Sequence, residues 1–418
     1  MEFNLKIQSF LGIMVFILIA WLFSERKNFV RPKIISLTII TQVILALFFL
    51  LVPFSESMFS LFNSGVVQIQ KATEFGTSFV FGYLGGAEVP FKVDDISRNY
   101  ILAFRALPLV IVVSAISSVL FHLGVLQKII RFIGSCIVRV ANIGHASAFG
   151  ASANIFVGMV EAPLLIKPYL EKLSRSDLFI LMTTGMCTVA GTVFALYVTV
   201  LENVIPDIAG HLILSSLLSV FSGVMIAQII IPPTTKELNE EDFVQHKSHI
   251  NLMDAITKGT TTGLSISLNI AATLIVMLSL VFLINSLLTV FPNFGNEPLS
   301  LQKIIGLFFA PLMWFLGMNW SEALIAGELM ATKTVFNEFI AFLDLSKIET
   351  GLLTDRTKLI IVYALSGFAN FGSLGIMVTG LISLAPNRRI EILELGPKSI
   401  LSGTLATLVT GSVIGLII

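Results

Sequence analysis

Two glutamates stand inside stretches of this chain that are otherwise hydrocarbon-like. Glu161 lies in Ile155-Phe156-Val157-Gly158-Met159-Val160-Glu161-Ala162-Pro163, and Glu338 in Thr334-Val335-Phe336-Asn337-Glu338-Phe339-Ile340. An ionisable side chain at bilayer depth is costly unless a polar partner or a water-filled cavity receives it, so each marks a candidate substrate or ion path. Two carboxylates could also share general acid-base chemistry. Against an enzyme, no metal-ligand cluster and no nucleophile-base set is legible. Cys136 and Cys187 are far apart in apolar surroundings, and His246 with His249 falls in a polar segment that reads as a solvated loop.

The setting is set by composition. Of 418 residues, 55% are hydrophobic and only 12% charged, whereas a soluble domain of this size would expose far more charge. The chain is an integral membrane protein. A formal net charge of zero and the lack of a basic run exclude a nucleic-acid partner. The first apolar run, Phe10 to Phe23, has no small-residue cleavage site after it and reads as a retained helix rather than a signal peptide.

About 20 apolar residues cross a bilayer as a helix. Spans are therefore expected at 8–24, 35–53, 103–123, 177–201, 208–231, 262–291, 358–385 and 399–418. Two further apolar regions, 146–170 and 319–345, each carry a glutamate, an amide and either a proline or a lysine near the middle. They read as re-entrant hairpins, because irregular backbone at membrane depth survives only where protein or a watery cavity satisfies it. Segment 54–99, with charge and glycine among its phenylalanines, reads as interfacial helix and loop. Most of the 26 Lys and Arg residues fall inside if the amino terminus is outside.

With that crossing order, span three, hairpin one and spans four and five run one way. Span six, hairpin two and spans seven and eight run the mirrored way, which is the inverted repeat of a secondary transporter. Spans four and seven are expected to start at Ser176-Asp177 and Thr354-Asp355, with Thr188 and Ser366 at the same distance beyond each acid. Both then lie about 16 Å deep, near the midplane of a roughly 30 Å core. Polar, glycine-rich breaks are expected there, at Thr183-Thr184-Gly185-Met186-Cys187-Thr188-Val189-Ala190-Gly191 and Ser366-Gly367-Phe368-Ala369-Asn370-Phe371-Gly372-Ser373.

The predicted fold is thus an all-α integral membrane protein, with eight transmembrane helices and two re-entrant hairpins in an inverted repeat and with helices broken at the midplane. Residues 1–100 form N-terminal scaffold helices and the interfacial segment, and 101–232 the first repeat. Residues 233–261 form a cytoplasmic linker, and 262–418 the second repeat.

Four ordered segments resemble the concentrative nucleoside transporter family in its bacterial form. They are Gly150-Ala151-Ser152-Ala153-Asn154-Ile155-Phe156-Val157-Gly158 with Glu161-Ala162-Pro163-Leu164, then Thr188-Val189-Ala190-Gly191, then Thr332-Lys333-Thr334-Val335-Phe336-Asn337-Glu338-Phe339, and finally Gly367-Phe368-Ala369-Asn370-Phe371-Gly372-Ser373. The resemblance implies an inner-membrane, multi-pass homotrimer that imports nucleosides by an elevator-like shift, coupled to sodium or in some members to protons, with no other cofactor. It implies that Glu338, Asn370 and Ser373 hold the ribose. Glu161 and Phe368 would contact the nucleoside near the base, and Val193 would line the pocket. Sodium would be held by the side chains of Asn154 and Thr188 and by the carbonyls of Val157 and Val189.

The chemistry of those residue types agrees. A carboxylate accepts and an asparagine amide both donates and accepts, so Glu338 with Asn370 suits a sugar diol. Phe368 offers a base an apolar face. One departure stands out: family members commonly carry a glutamine and then a serine or threonine ahead of the hairpin-one glutamate, whereas this chain has Met159 and Val160. Base recognition is expected to differ accordingly. The competing readings are a proton-coupled importer, an intramembrane enzyme and a nucleoside receptor that does not transport.

Overall fold

The computed structural model describes residues 2–90, 101–233, 250–292 and 298–418; His246 and His249 lie outside these described residues. Among them every regular element is helical. Two apolar helices come first, α1 (Glu2–Leu22) and α2 (Pro32–Leu51), and then the long α3 (Pro53–Phe81). The segment expected to be interfacial helix and loop is, through Phe81, this single 29-residue helix. It ends where Gly82 takes a positive φ of 59° that other residues rarely adopt.

The remainder is two copies of one plan. The first copy runs α4 (Leu102–Arg105), α5 (Leu107–His122), α6 (Val125–Ala141) and α7 (His145–Ala153), then α8 (Glu161–Leu165) and α9 (Lys167–Leu170). It continues with α10 (Arg175–Cys187), α11 (Gly191–Leu201) and α12 (Ile208–Ile230). The second runs α13 (Leu252–Leu288), α14 (Leu301–Trp314), α15 (Trp320–Val335), α16 (Glu338–Lys347), α17 (Asp355–Leu365), α18 (Phe371–Leu384) and α19 (Arg389–Ile417). In each copy a membrane helix (α5, α13) leads to a second helix (α6, α14) ahead of the hairpin. A hairpin, a broken helix and a closing helix follow.

Hydrogen bonds show that the copies are inverted. At one face the end of α1 meets the start of α10 and the end of α12: Arg175 bonds Glu25 at 3.0 Å, Glu25 N–H donates to Ile230 O at 2.8 Å, and Ser176 Oγ donates to Ile231 O at 2.7 Å. The base of hairpin one is there too, with Arg388 donating to the carbonyls of Leu170 and Leu173 at 3.1 and 2.8 Å. At the opposite face Arg356, in the first turn of α17, donates to the carbonyls of Gly317 and Gly415. Lys6 donates there to Ile417 O at 2.9 Å. Hairpin two is pinned to that face by Glu322, which accepts from Thr354 N–H at 2.7 Å and Thr357 Oγ1 at 2.8 Å. Hairpin one therefore opens on one face and hairpin two on the other, and α10–α11 runs antiparallel to α17–α18.

Among the described residues seven helical stretches are long and apolar enough to cross a membrane, α10 with α11 among them, and α17 with α18 makes the eighth crossing. This agrees with the expected count, and the expected break in the span at 358–385 falls at Ser366–Asn370. Three adjustments follow. α10 is capped by Ser174, which accepts from Asp177 N–H at 3.1 Å, rather than by Ser176. α13 begins at Leu252, ahead of the expected start at 262, because Asn251 caps it through Asp254 N–H at 2.9 Å. Finally, α6 and α14 were not expected as elements. α14, at 14 residues, is too short for the span rule. α6 buries Leu126, Ile130 and Ile137 on one side while Lys128, Arg131 and Arg139 interrupt any apolar run.

α5 and α13 form a closely joined pair. A Cβ at Gly263 would stand 2.6 Å from Ile111 Cα, and one at Gly259 would stand 2.7 Å from Ala115 Cα, so only glycine allows this approach. One turn further on, Ser267 Oγ donates to Leu107 O at 2.9 Å. Small residues four apart are the usual means of bringing membrane helices into backbone contact. α1 and α2 instead pack against α12 and α19 of the two closing pairs.

Candidate substrate and ion site

Four helix starts converge on one cavity. Glu161 opens α8, Gly191 opens α11, Glu338 opens α16, and Asn370 caps α18 by accepting from Ser373 N–H at 2.8 Å. Helix starts carry unpaired N–H groups and partial positive charge, so they favour oxygen-rich and negatively charged groups. The space between them, including the part that opens to its surroundings, is about 910 Å³.

Every residue expected to bind substrate lines it: Met159, Val160, Glu161, Val193, Glu338, Phe368, Asn370 and Ser373. Glu338 is buried and doubly engaged. Tyr197 Oη donates to its Oε1 at 2.5 Å, and Asn370 Nδ2 donates to its Oε2 at 3.2 Å. Glu161 is held differently, with its carboxylate curled against Gly158 of its own hairpin tip so closely that a Cβ there would overlap Oε2. The two acids thus have distinct settings: one is positioned by side chains from two other elements, and the other by its own turn. Met159 and Val160 also pack outward, Met159 Cβ against Gly185 and both Val160 methyls against Gly380.

Sequence reasoning missed part of the wall. Tyr197 on α11 and Asn269 with Thr273 on α13 also line the cavity. A signal existed in each case. A phenol in an apolar helix needs an acceptor, and Asn269 with Thr273 puts two polar groups one turn apart in a membrane span.

The residues expected to hold an ion also come together. The α10–α11 break spans Thr188–Ala190, and hairpin one is folded against it so closely that a Cβ on Gly191 would overlap Phe156 O. Thr188 Oγ1 donates to Thr184 O at 2.8 Å and to Asn154 O at 3.3 Å. Asn154 Nδ2 donates to Thr184 Oγ1 at 3.2 Å and to Gly150 O at 3.3 Å, while Asn154 Oδ1 is buried with no donor. A buried acceptor without a partner is costly and calls for a ligand. The surrounding groups are neutral oxygens, and α10 points its negative end at them. That donor set suits a small hard cation. Val157 and Val189, the other two expected ligands, lie in the hairpin tip and in the break themselves.

A cavity where two inverted hairpins meet two broken helices defines a secondary-active transporter. Residues 211–415 match the family model described as Na+ dependent nucleoside transporter C-terminus, residues 11–84 the corresponding N-terminus, and residues 103–204 a model described as nucleoside recognition. The chain is 36% identical to an uncharacterized transporter, YutK, of Bacillus subtilis, over 98% of both chains. It is 35% identical to nucleoside permease NupC of Helicobacter pylori, over 98% of this chain and 97% of that one. The solved structure of CNTnw in an inward-facing substrate-bound state superposes with a TM-score of 0.88 at 32% identity, covering 99% of this chain and 97% of that one. The chain belongs to the Na+ dependent nucleoside transporter family. Its members are transporters of the multi-pass, inner-membrane type rather than enzymes.

Proposed function

We propose that this chain imports nucleosides by sodium-coupled, elevator-type alternating access, with the cavity described above as its substrate site. The observation that carries the reading is the cavity itself, where Glu338 is fixed between Tyr197 and Asn370 and Asn154 presents an unpartnered acceptor beside the adjoining helix break. Glu338, Asn370 and Ser373 bind the sugar: the carboxylate accepts from hydroxyls, and the amide and hydroxyl both donate and accept. Phe368 gives the base an apolar face, Val193 lines the pocket, and Glu161 reaches the nucleoside from hairpin one.

Asn154, Thr188 and the carbonyls of Val157 and Val189 take the sodium. Because the hairpin tip supplies both the ion ligand Asn154 and the substrate residue Glu161, filling the ion site fixes the tip in the shape that binds nucleoside. That shared backbone is the coupling. The hairpins then shift as a body along the α5–α13 pair, whose Asn269 and Thr273 complete the cavity from the other side. Three copies assemble, as the family resemblance implies, and the outward apolar side chains of α13, such as Leu268, Ile275 and Phe282, supply surface for protein or lipid contact.

The deciding experiment is accumulation of labelled nucleoside in sealed vesicles containing the purified protein. An inward sodium gradient is expected to drive uptake above equilibrium. Equal accumulation in choline buffer under an inward proton gradient would place the chain among proton-coupled importers, and binding without accumulation would make it a receptor.

Base selection follows from hairpin one. Neither Met159 nor Val160 can hydrogen-bond a polar base edge, and a site that strands polar groups rejects a ligand more strongly than one lacking an apolar contact. The native protein is expected to favour larger or less polar bases over uracil. Met159→Gln combined with Val160→Thr, which keeps the shape packed on Gly380, is expected to improve uridine by about 1 kcal/mol relative to the native preference. Competition of uptake by a panel of nucleosides measures this. Indistinguishable profiles for the two proteins would show that these positions do not read the base.

A further inference from the structure

Lys333 is fully buried in hairpin two, five residues ahead of Glu338. Its Nζ donates to Ala364 O at 2.9 Å and to Thr407 Oγ1 at 3.3 Å. Ala364 lies in the last turn of α17, where carbonyls lack helical partners and the dipole is negative. The ammonium therefore sits on the helix end that forms the second break, among neutral oxygens, with Glu338 close enough to interact electrostatically.

This is the arrangement of repeat one with a different cation. There, the end of the first arm of hairpin one (Asn154) meets the end of α10 at Thr184 and Thr188, and Ser216 on the closing helix α12 accepts from Val189 N–H at 3.2 Å. Here, the end of the first arm of hairpin two (Lys333) meets the end of α17, and Thr407 on the closing helix α19 lies against Gly367 in the break. The difference is in the leftover groups. Repeat one leaves Asn154 Oδ1 without a donor, whereas among the described residues no buried side-chain oxygen or nitrogen at the α17–α18 break is left without a partner.

We propose that the Lys333 ammonium is the resident cation of the second repeat, standing where the first repeat takes an exchangeable sodium. It neutralises the negative end of α17, holds the break against hairpin two, and positions Glu338 for the sugar. One sodium then suffices per nucleoside. The inference rests on the sodium reading of repeat one.

The test uses the full-length purified protein and measures nucleoside binding and thermal unfolding across a sodium titration. The native protein is expected to show a sodium Hill slope near one. Lys333→Ala opens a cation-sized space lined by Ala364 O and Thr407 Oγ1. It is expected to weaken nucleoside binding at least about tenfold, with about 100 mM methylammonium restoring it or sodium filling the space with a Hill slope near two. Lys333→Met fills the space without charge and is expected to lose affinity with no rescue and a slope still near one. A merely structural lysine would not be replaced by a free amine. Native affinity and unit slope in both variants would overturn the proposal, and if Lys333→Ala does not fold, native affinity in Lys333→Met overturns it alone. A native protein indifferent to sodium would instead overturn the ion site at Asn154 and Thr188.

Discussion

Glu338→Gln is expected to weaken binding of every nucleoside by roughly 10- to 150-fold, the range of about 1.5–3 kcal/mol for a hydrogen bond to a charged group. The loss should be uniform across bases because the sugar is what nucleosides share. The geometry gives the change a second cost. Glu338 Oε1 accepts from Tyr197 and Oε2 from Asn370, so an amide at this position must turn its NH2 toward one of those donors. Asn370→Ala should produce a similar uniform loss, since it removes a sugar partner, a donor to Glu338 and the cap of α18 together. Tyr197→Phe keeps the ring and should cost less, about 1 kcal/mol. Isothermal titration with nucleosides that share ribose and differ in base distinguishes the outcomes. A changed rank order among bases with ribose-dependent affinity intact would show that Glu338 and Asn370 do not hold the sugar.

Asn154→Ala and Thr188→Ala are each expected to raise the half-saturating sodium concentration at least about tenfold while leaving the protein folded. Each removes an oxygen from a site with few substitutes, and Asn154→Ala removes a buried acceptor that is left without a donor beside the helix break. The fold should survive because Thr188 and Asn154 bond mainly to backbone already ordered within α7 and α10. Uptake measured at fixed nucleoside over a range of sodium gives the shift. Unchanged sodium dependence with reduced nucleoside affinity would move these residues from the ion site to the substrate site.

Much of this architecture is written locally in the chain. A glutamate, an amide and a proline or lysine within an apolar run violate the composition of a membrane helix, and that violation is visible over about ten residues without knowing what lies nearby. Glu161 and Glu338 accordingly fall at hairpin tips, and Thr188 and Ser366 fall at the two helix breaks. α6 and α14 escaped for the complementary reason. One mixes basic residues with its apolar face and the other is shorter than a bilayer, so neither breaks nor satisfies the rule that finds spans.

The places where the chain departs from plain hydrocarbon are therefore legible residue by residue, because the cost of a charge or a freed carbonyl in lipid falls at that residue. The partner that answers each departure is set by folding alone. Tyr197 meets Glu338 from 141 residues away, Lys333 meets Thr407 from 74, and Asn154 keeps one oxygen that nothing in the protein satisfies. α13 brings Asn269 and Thr273 to a cavity otherwise built by the hairpins and broken helices. Hydrogen bonds act over about 3 Å in space, and no local pattern specifies which distant donor will arrive there.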